Sequence, residues 1–354
     1  MNITADELPH ADGRPPPCGR IRCAPEDFIV IEELGWQPDG SGEHVFLYVR
    51  KSGQNTDWVA RRLAEVCEVR ADAVSYAGLK DRHAVTEQWF SVQMPGREAP
   101  MPCGFTGSRG IDGVEVLAVT RNSRKLRRGA LAGNRFRIVV RELDGPPAAV
   151  LDRLPAIAAR GVPNWFGEQR FGRDGGNLER ARRLLAGTLR ERDRHKRGLY
   201  LSAARSHLFN RYLAARIIDG SWDQALPGEV LMLDGSHSVF ACPQPDATIL
   251  ERLARHDLHP SGPLWGAGEL RSVGVAREVE LAALQGDTAT RLRNGLERAG
   301  LKQERRALRL RPQESTWRWR DDGALELAFA LPPGCYATTV LRELGDVKDV
   351  AAAM

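Results

Sequence analysis

Apolar side chains alternate with other residues in short runs before residue 145: Phe28 and Val30, then Val45, Leu47 and Val49, then Phe136, Ile138 and Val140. A period of two puts each row on one face of a strand, so these runs predict a half-exposed antiparallel sheet. One segment breaks the alternation. Val59, Leu63, Val66 and Cys67 share one face of a helix, Thr56 stands where a cap belongs, and Asp57 suits the positive helix end. The turn-rich run Asp144-Gly145-Pro146-Pro147 marks a boundary, and beyond it the texture becomes helical and rich in Ala, Arg and Leu. Over 202–218, Leu208, Phe209, Leu213 and Ile217 form an apolar stripe that leaves Arg205, Arg211 and Arg216 for solvent or phosphate. Alternation returns at Leu325, Leu327, Phe329 and Leu331, before a short helix over 339–344. The economical reading is an inserted domain, with a sheet begun by the N-terminal part and completed by the C-terminal segment.

The chain has 354 residues, room for about two domains. With 42% hydrophobic and 27% charged residues it has the composition of an ordinary globular protein, which sets disorder aside. The stretch 324–341 is the most apolar, but Glu326, Pro332, Pro333 and Gly334 interrupt it, so no membrane span is expected. The N-terminus lacks the basic start and apolar run of a secretory signal. Six cysteines without a C-x-x-C pair fit reduced thiols in the cytoplasm. His256 and His259 have ligand-like spacing but no neighbouring cysteine, and they read as solvated surface residues. Net charge is only +5, yet five of the eight residues 121–128 are basic, as are five of the eight residues 190–197. Such clusters fit either a solvated face or a polyanionic partner.

The segment with most chemistry is AGLKDRHAVTEQWFSV, residues 77–92. One strand is expected to end at Leu79 and another to begin near Thr86, with Lys80-Asp81-Arg82-His83 on the loop between. Neighbouring cations favour a carboxylate anion, and strand-end loops commonly carry catalytic groups, so Asp81 is a candidate nucleophile. From composition alone, a surface turn with local ion pairs fits better.

AGLKDRHAVT resembles the signature around the catalytic aspartate of the TruD family of tRNA pseudouridine synthases. The resemblance continues through IRCAPEDFIVIEE (21–33), GSGEH (40–44), KSGQNTDWVA (51–60), RKLRRGALAGNRFRIVVRE (124–142), GVPNWFGEQRFGRDGGN (161–177), RDRHKRGLYLSAARSHLFN (192–210) and LPPGCYATTVLRELG (331–345), in family order across nearly the whole chain. It implies an α+β protein: a pseudouridine synthase fold with a mostly antiparallel central sheet, plus an inserted α/β TRUD domain. The expected parts are 1–155 (catalytic, N-terminal part), 156–308 (insert) and 309–354 (catalytic, C-terminal part). The implied activity is isomerisation of uridine to pseudouridine at position 13 in the D stem of tRNA, such as tRNA-Glu. The implied protein is monomeric and needs no cofactor or metal.

Carried over by motif, Asp81 matches the catalytic aspartate, while Phe28, Asn134 and Tyr336 match positions lining the uridine pocket. Phe136 shares the Gly-Asn-x-Phe motif with Asn134. Aromatic faces suit an unstacked base, and an amide offers both a donor and an acceptor to a uracil edge or ribose hydroxyl. Arg22, Lys80 and Arg82 are candidates to hold a flanking phosphate. This sequence departs from common family residues at Arg22 (often lysine), Asn122 (often histidine) and Tyr336 (often phenylalanine). The run Gly172-Arg173-Asp174-Gly175-Gly176-Asn177 lacks a following Gly-Lys-Ser/Thr, and neither G-x-S-x-G nor G-x-G-x-x-G occurs. A non-catalytic RNA-binding protein, and an RNA methyltransferase or nuclease, are the rival classes; the latter two lack the cofactor loop or carboxylate cluster they need.

Overall fold

The computed structural model describes residues 8–13, 15, 17–100, 110–144 and 147–353. The first seven residues, Cys103 and the Gly145-Pro146 pair of the expected boundary lie outside the described residues, as does the side chain of Cys18. Two compact units form. One gathers Pro16–Val150, Pro312–Gly334 and Asp346–Met354; the other gathers Met1–Pro15, Leu151–Arg311 and Cys335–Gly345.

Along the chain come β1 (Pro17–Ile21), β2 (Phe28–Glu33), β3 (His44–Lys51), β4 (Val74–Tyr76), β5 (Val85–Gln93), β6 (Val114–Asn122) and β7 (Gly133–Val140). In the other unit follow β8 (Val162–Pro163), β9 (Glu229–Leu233), β10 (Val239–Cys242), β11 (Leu258–Leu264), β12 (Glu304–Ala307) and β13 (Arg309–Leu310). The first unit then resumes with β14 (Gln313–Trp319), β15 (Leu325–Leu331) and β16 (Asp346–Asp349).

The first unit is built on an eight-stranded sheet in the order β14-β15-β7-β2-β5-β3-β6, with β4 added on β5. Every pairing in it is antiparallel except β2 with β5. The protein is therefore α+β with a mostly antiparallel central sheet. A short parallel pair, β1 with β16, meets the end of β7 through an antiparallel bridge between Arg20 and Arg141.

Register sets which side chains share a face. Phe28, Val30 and Glu32 of β2 stand opposite Ile138, Phe136 and Asn134 of β7, and Leu331 of β15 stands opposite Asn134. Val30 is level with Thr86 of β5, and Thr86 with Lys51 of β3. The same face continues through Val49, Leu47 and Val45, on which helix α1 (Thr56–Val66) lays Val59 and Leu63, with Cys67 just beyond its end. Each such fully buried Val or Leu contributes about 1.5–3 kcal/mol, so this contact fixes the start of α1 against the sheet.

Two expectations change here. The strand before the Asp81 loop stops at Tyr76, and Leu79 is 61% exposed. Beyond Tyr76 the backbone bonds to side chains beneath it rather than to a strand ladder. Thr56 does not cap α1: Asn55 holds the cap position, and the Thr56 hydroxyl serves that same loop.

The second unit packs an antiparallel sheet, β10-β9-β11-β12, with several helices. Its longest helix, Arg194–Ile218, starts at Asp193, whose carboxylate accepts the N–H groups of His195 and Lys196. Apolar neighbours surround it, so the expected solvent-facing row is only partly so. Arg216 is fully buried; it donates to Glu229 Oε2 at 2.8 Å and to Tyr212 Oη at 2.6 Å. His256 and His259 are buried rather than solvated, because β11 carries His259 inside the sheet. His259 Nε2 lies 2.8 Å from Asp234 Oδ1, and Arg309 Nε donates to its Nδ1. Among the described residues no group of three or more His, Cys, Asp or Glu could hold a metal, and no helix is long and apolar enough to cross a membrane.

Candidate active site

The Asp81 loop joins β4 to β5, and polar side chains from the buried sheet face hold it from below. Lys80 N–H donates to Thr56 Oγ1 at 3.0 Å. The Thr56 hydroxyl donates to Gln88 Oε1, and Gln88 Nε2 donates to the Gly78 carbonyl at 3.1 Å. Lys51 Nζ reaches the carbonyls of Gln54 at 2.9 Å and Asp81 at 2.8 Å. The Lys80 ammonium turns inward to Glu32 Oε2 at 2.6 Å, while Glu32 Oε1 accepts the Trp89 N–H. Arg82 points outward, with Nε bonded to the Gly53 carbonyl.

Asp81 keeps its side chain 29% exposed. Oδ1 accepts the N–H of His83 at 3.0 Å, a local turn that fixes the carboxylate's rotation, and Oδ2 lies 2.6 Å from an Arg22 nitrogen. The other terminal nitrogen of Arg22 bonds Asp349. The Arg22 guanidinium also lies 3.9 Å over the Phe28 ring. Its backbone sits at φ 57°, a left-handed conformation that costs a non-glycine residue about 1–2 kcal/mol. Such strain persists where surrounding contacts overdetermine it, and here two carboxylates and an aromatic face do so.

Phe28 meets Phe136 edge to face, centroids 6.2 Å apart, and Phe136 continues to Phe329 at 5.6 Å. Two rows further along the same face comes Asn134, whose Oδ1 is buried with no hydrogen-bond partner among the described residues. A buried acceptor without a donor is costly, and Asn134 carries that cost here. Gly133 precedes it because a Cβ there would meet the Leu331 carbonyl at 2.7 Å.

Arg22, Phe28, Asp81, Phe136 and Asn134 thus belong to one connected part of the first unit. Tyr336 belongs to the second unit, where its hydroxyl accepts from Arg170 Nε at 3.1 Å and Arg170 also donates to Ser202. Asn122 is buried, accepting from Asp39 N–H and donating to the Arg124 carbonyl, so it shapes the basic loop that follows. Arg124, Lys125, Arg127 and Arg128 of that loop are exposed. Three of these four, with Trp36, Asp39 and Asn122, line a cavity of 510 Å³. Both basic clusters therefore offer exposed cations, one in each unit.

Glu32, Lys51, Gln88 and Asp349 were not legible as site residues. For three of them a signal exists: they interrupt the apolar rows Phe28-Val30-Glu32, Val45-Leu47-Val49-Lys51 and Thr86-Gln88-Phe90. A polar group on a buried face needs a partner, and the loop supplies it.

A solved TruD crystal structure from Methanosarcina mazei aligns with 98% of this chain and 97% of its own, with a TM-score of 0.69 at 21% identity, so the fold is that of a TruD pseudouridine synthase. The family model described as tRNA pseudouridine synthase D (TruD) matches residues 10–187 and 175–344. The chain belongs to the TruD family. Among curated relatives named tRNA pseudouridine synthase D, that of Xanthomonas axonopodis pv. citri is 53% identical, covering 97% of this chain and 95% of its own. That of Xanthomonas campestris pv. campestris is 54% identical over 97% and 96%. That of Methylococcus capsulatus is 50% identical over 96% and 94%.

Proposed function

We propose that this chain is a tRNA pseudouridine synthase that isomerises uridine 13 in the D stem of tRNAs such as tRNA-Glu, with Asp81 as its catalytic carboxylate. One observation carries the reading: a partly exposed Asp81 carboxylate, held by Arg22 and its own loop, adjoins the face bearing Phe28, Phe136 and the unpartnered Asn134 oxygen.

The reaction breaks the N1–C1′ bond, turns the uracil, forms a C5–C1′ bond, and releases the C5 proton while N1 takes one up from solvent. Asp81 either attacks C1′ or removes the C2′ proton to leave a glycal, to which the proton later returns; the family resemblance favours the second route. Phe28 and Phe136 are the candidate faces for the extruded base, each stacked base being worth about 1–3 kcal/mol, and Tyr336 is a candidate by family resemblance alone. Asn134 supplies a hydrogen-bond partner for uracil or ribose. Of the cations beside Asp81, Lys80 is engaged by Glu32 and Arg22 by two carboxylates, which leaves exposed Arg82 for a flanking phosphate. Exposed arginines of residues 121–128 and 190–197 would grip the RNA backbone, whose charge makes such binding salt-dependent. The first unit is read as catalytic and residues 156–308 as the family's insert, in a monomer acting in the cytoplasm. The rearrangement consumes no co-substrate, so no cofactor is invoked.

The test is tritium release from tRNA labelled at uracil C5, comparing wild type with Asp81→Asn, together with mapping of the modified position. Release by wild type and none by Asp81→Asn, at undiminished tRNA affinity, is expected. Equal release from both proteins refutes the assignment of Asp81, and absence of release from wild type refutes the activity.

A further inference from the structure

Lys51 is the last residue of an otherwise apolar row, Val45-Leu47-Val49-Lys51, and it is fully buried. Lysine is seldom buried unless a carboxylate pairs with it. No salt bridge to Lys51 occurs among the described residues. Its ammonium instead faces backbone carbonyls: Gln54 at 2.9 Å, Asp81 at 2.8 Å and, more distantly, Lys80 at 3.5 Å. An ammonium has three donors and these are three acceptors, converging from the turn just before α1 and from both residues around the Lys80–Asp81 peptide. Resting on the proposed function above, we propose that the Lys51 ammonium is the positioning group of the catalytic loop, clamping the Asp81 backbone so that its carboxylate is presented at working geometry.

The clamp acts through its charge. Carbonyl dipoles aimed at one point stabilise a cation and repel a lone pair, so loss of the Lys51 proton removes one donor and weakens the rest. Among the described residues the charged groups acting on Lys51 are Asp81, which favours the ammonium, and Lys80, which opposes it. Val114 of β6 and Thr86 of β5, its neighbours across the sheet, do not titrate near neutral pH. Burial pushes the Lys51 ammonium down to about 8, within the range where turnover can be assayed. Turnover should therefore fall as pH rises through that value. The burial of charge makes an opposite demand on folding. Because the folded state holds this proton less tightly than the unfolded chain, the Lys51 contribution to stability improves between about pH 8 and 10.5. Loss of activity with no loss of stability across that window separates positioning from scaffolding.

The experiment uses the full chain with tRNA substrate and compares wild type, Lys51→Met and Lys51→Arg in tRNA affinity, single-turnover rate against pH, and thermal midpoint. A loop displaced by about 1 Å typically costs on the order of 10²-fold in rate. Lys51→Met is expected to bind tRNA as wild type does, to melt no lower, and to turn over about 10²-fold more slowly. Lys51→Arg keeps a permanent charge, so it should recover part of that rate and lose the decline above pH 8. Lys51→Met turning over at the wild-type rate overturns the inference, as does a rate loss in Lys51→Met matched by lost affinity or stability. If Lys51→Met does not fold, an unchanged alkaline limb in Lys51→Arg overturns it alone. Activity in wild type but not in Asp81→Asn, with full activity in Lys51→Met, refutes this inference while leaving the proposed function standing. Absence of activity in wild type refutes the function itself.

Discussion

The Glu32–Lys80 pair offers a direct measurement of how the Asp81 loop is anchored. Glu32 is fully buried at its carboxylate, its partner's side chain is 6% exposed, and the contact is 2.6 Å. In Glu32→Leu the Lys80 ammonium stays beneath the loop without its carboxylate, and the Trp89 N–H loses an acceptor. Removing one member of a buried ion pair costs about 3–5 kcal/mol, because the remaining charge is left uncompensated. For a domain of 150–250 residues each kcal/mol lowers the midpoint by about 2–4 °C, so Glu32→Leu should melt roughly 6–20 °C lower. Lys80→Met should be affected to a similar degree, since it strands the carboxylate. The double variant Glu32→Leu/Lys80→Met removes both charges and should return to within about 1–2 kcal/mol of wild type, giving a coupling energy of at least about 4 kcal/mol. Urea unfolding of the four proteins at neutral pH supplies the cycle. A double variant no more stable than the weaker single, or single variants losing under about 1 kcal/mol, would refute the reasoning. In the pair's absence the residue before Asp81 is held only through its backbone, by Thr56 and Lys51, so kcat should remain low in the double variant although its stability has recovered.

Tyr336→Phe removes only the acceptor of Arg170, so stability should fall by about 0.5–1.5 kcal/mol and turnover by less than roughly tenfold; a loss beyond 10²-fold would mean that the hydroxyl touches substrate. Arg124→Glu/Arg127→Glu alters two exposed cations. It should weaken tRNA binding and lower the slope of log affinity against log salt by about two, with kcat at saturating tRNA preserved; an unchanged slope excludes this loop from the RNA interface. Burial raises Glu343 to about 7. Between about pH 4.5 and 7 the folded chain therefore keeps a proton that the unfolded chain has released, and stability declines as pH rises across that window. Glu343→Gln should remove this decline, worth about 2–4 kcal/mol; parallel midpoint curves for the two proteins from pH 5 to 8 would contradict the assignment.

The linear sequence determined the elements and their faces. Alternation in 28–33, 44–51 and 133–140, and the 3.6-residue spacing of Val59 and Leu63, record burial on one side, and the structure has strands and a helix at those places. The family motif around Asp81 was likewise legible, because a loop signature is contiguous. What the pattern does not carry is the identity of a distant partner. Arg205, Arg211 and Arg216 were all read as available for solvent or phosphate, yet Arg216 is fully buried, where Glu229 of β9 supplies its partner. His259 reads as surface until β9 and β12 close on either side of its strand. Thr56 fits a cap by spacing, and its hydroxyl turns to Lys80 because the loop returns over the helix start. Arg22 and Asp349 stand far apart in sequence and meet because β1 pairs with β16, while Asp81 reaches Arg22 from the loop between β4 and β5. Hydrophobicity fixes which face is dry. Hydrogen bonds and ion pairs depend on directions and distances of a few ångströms, and those exist only once the strands have found their register.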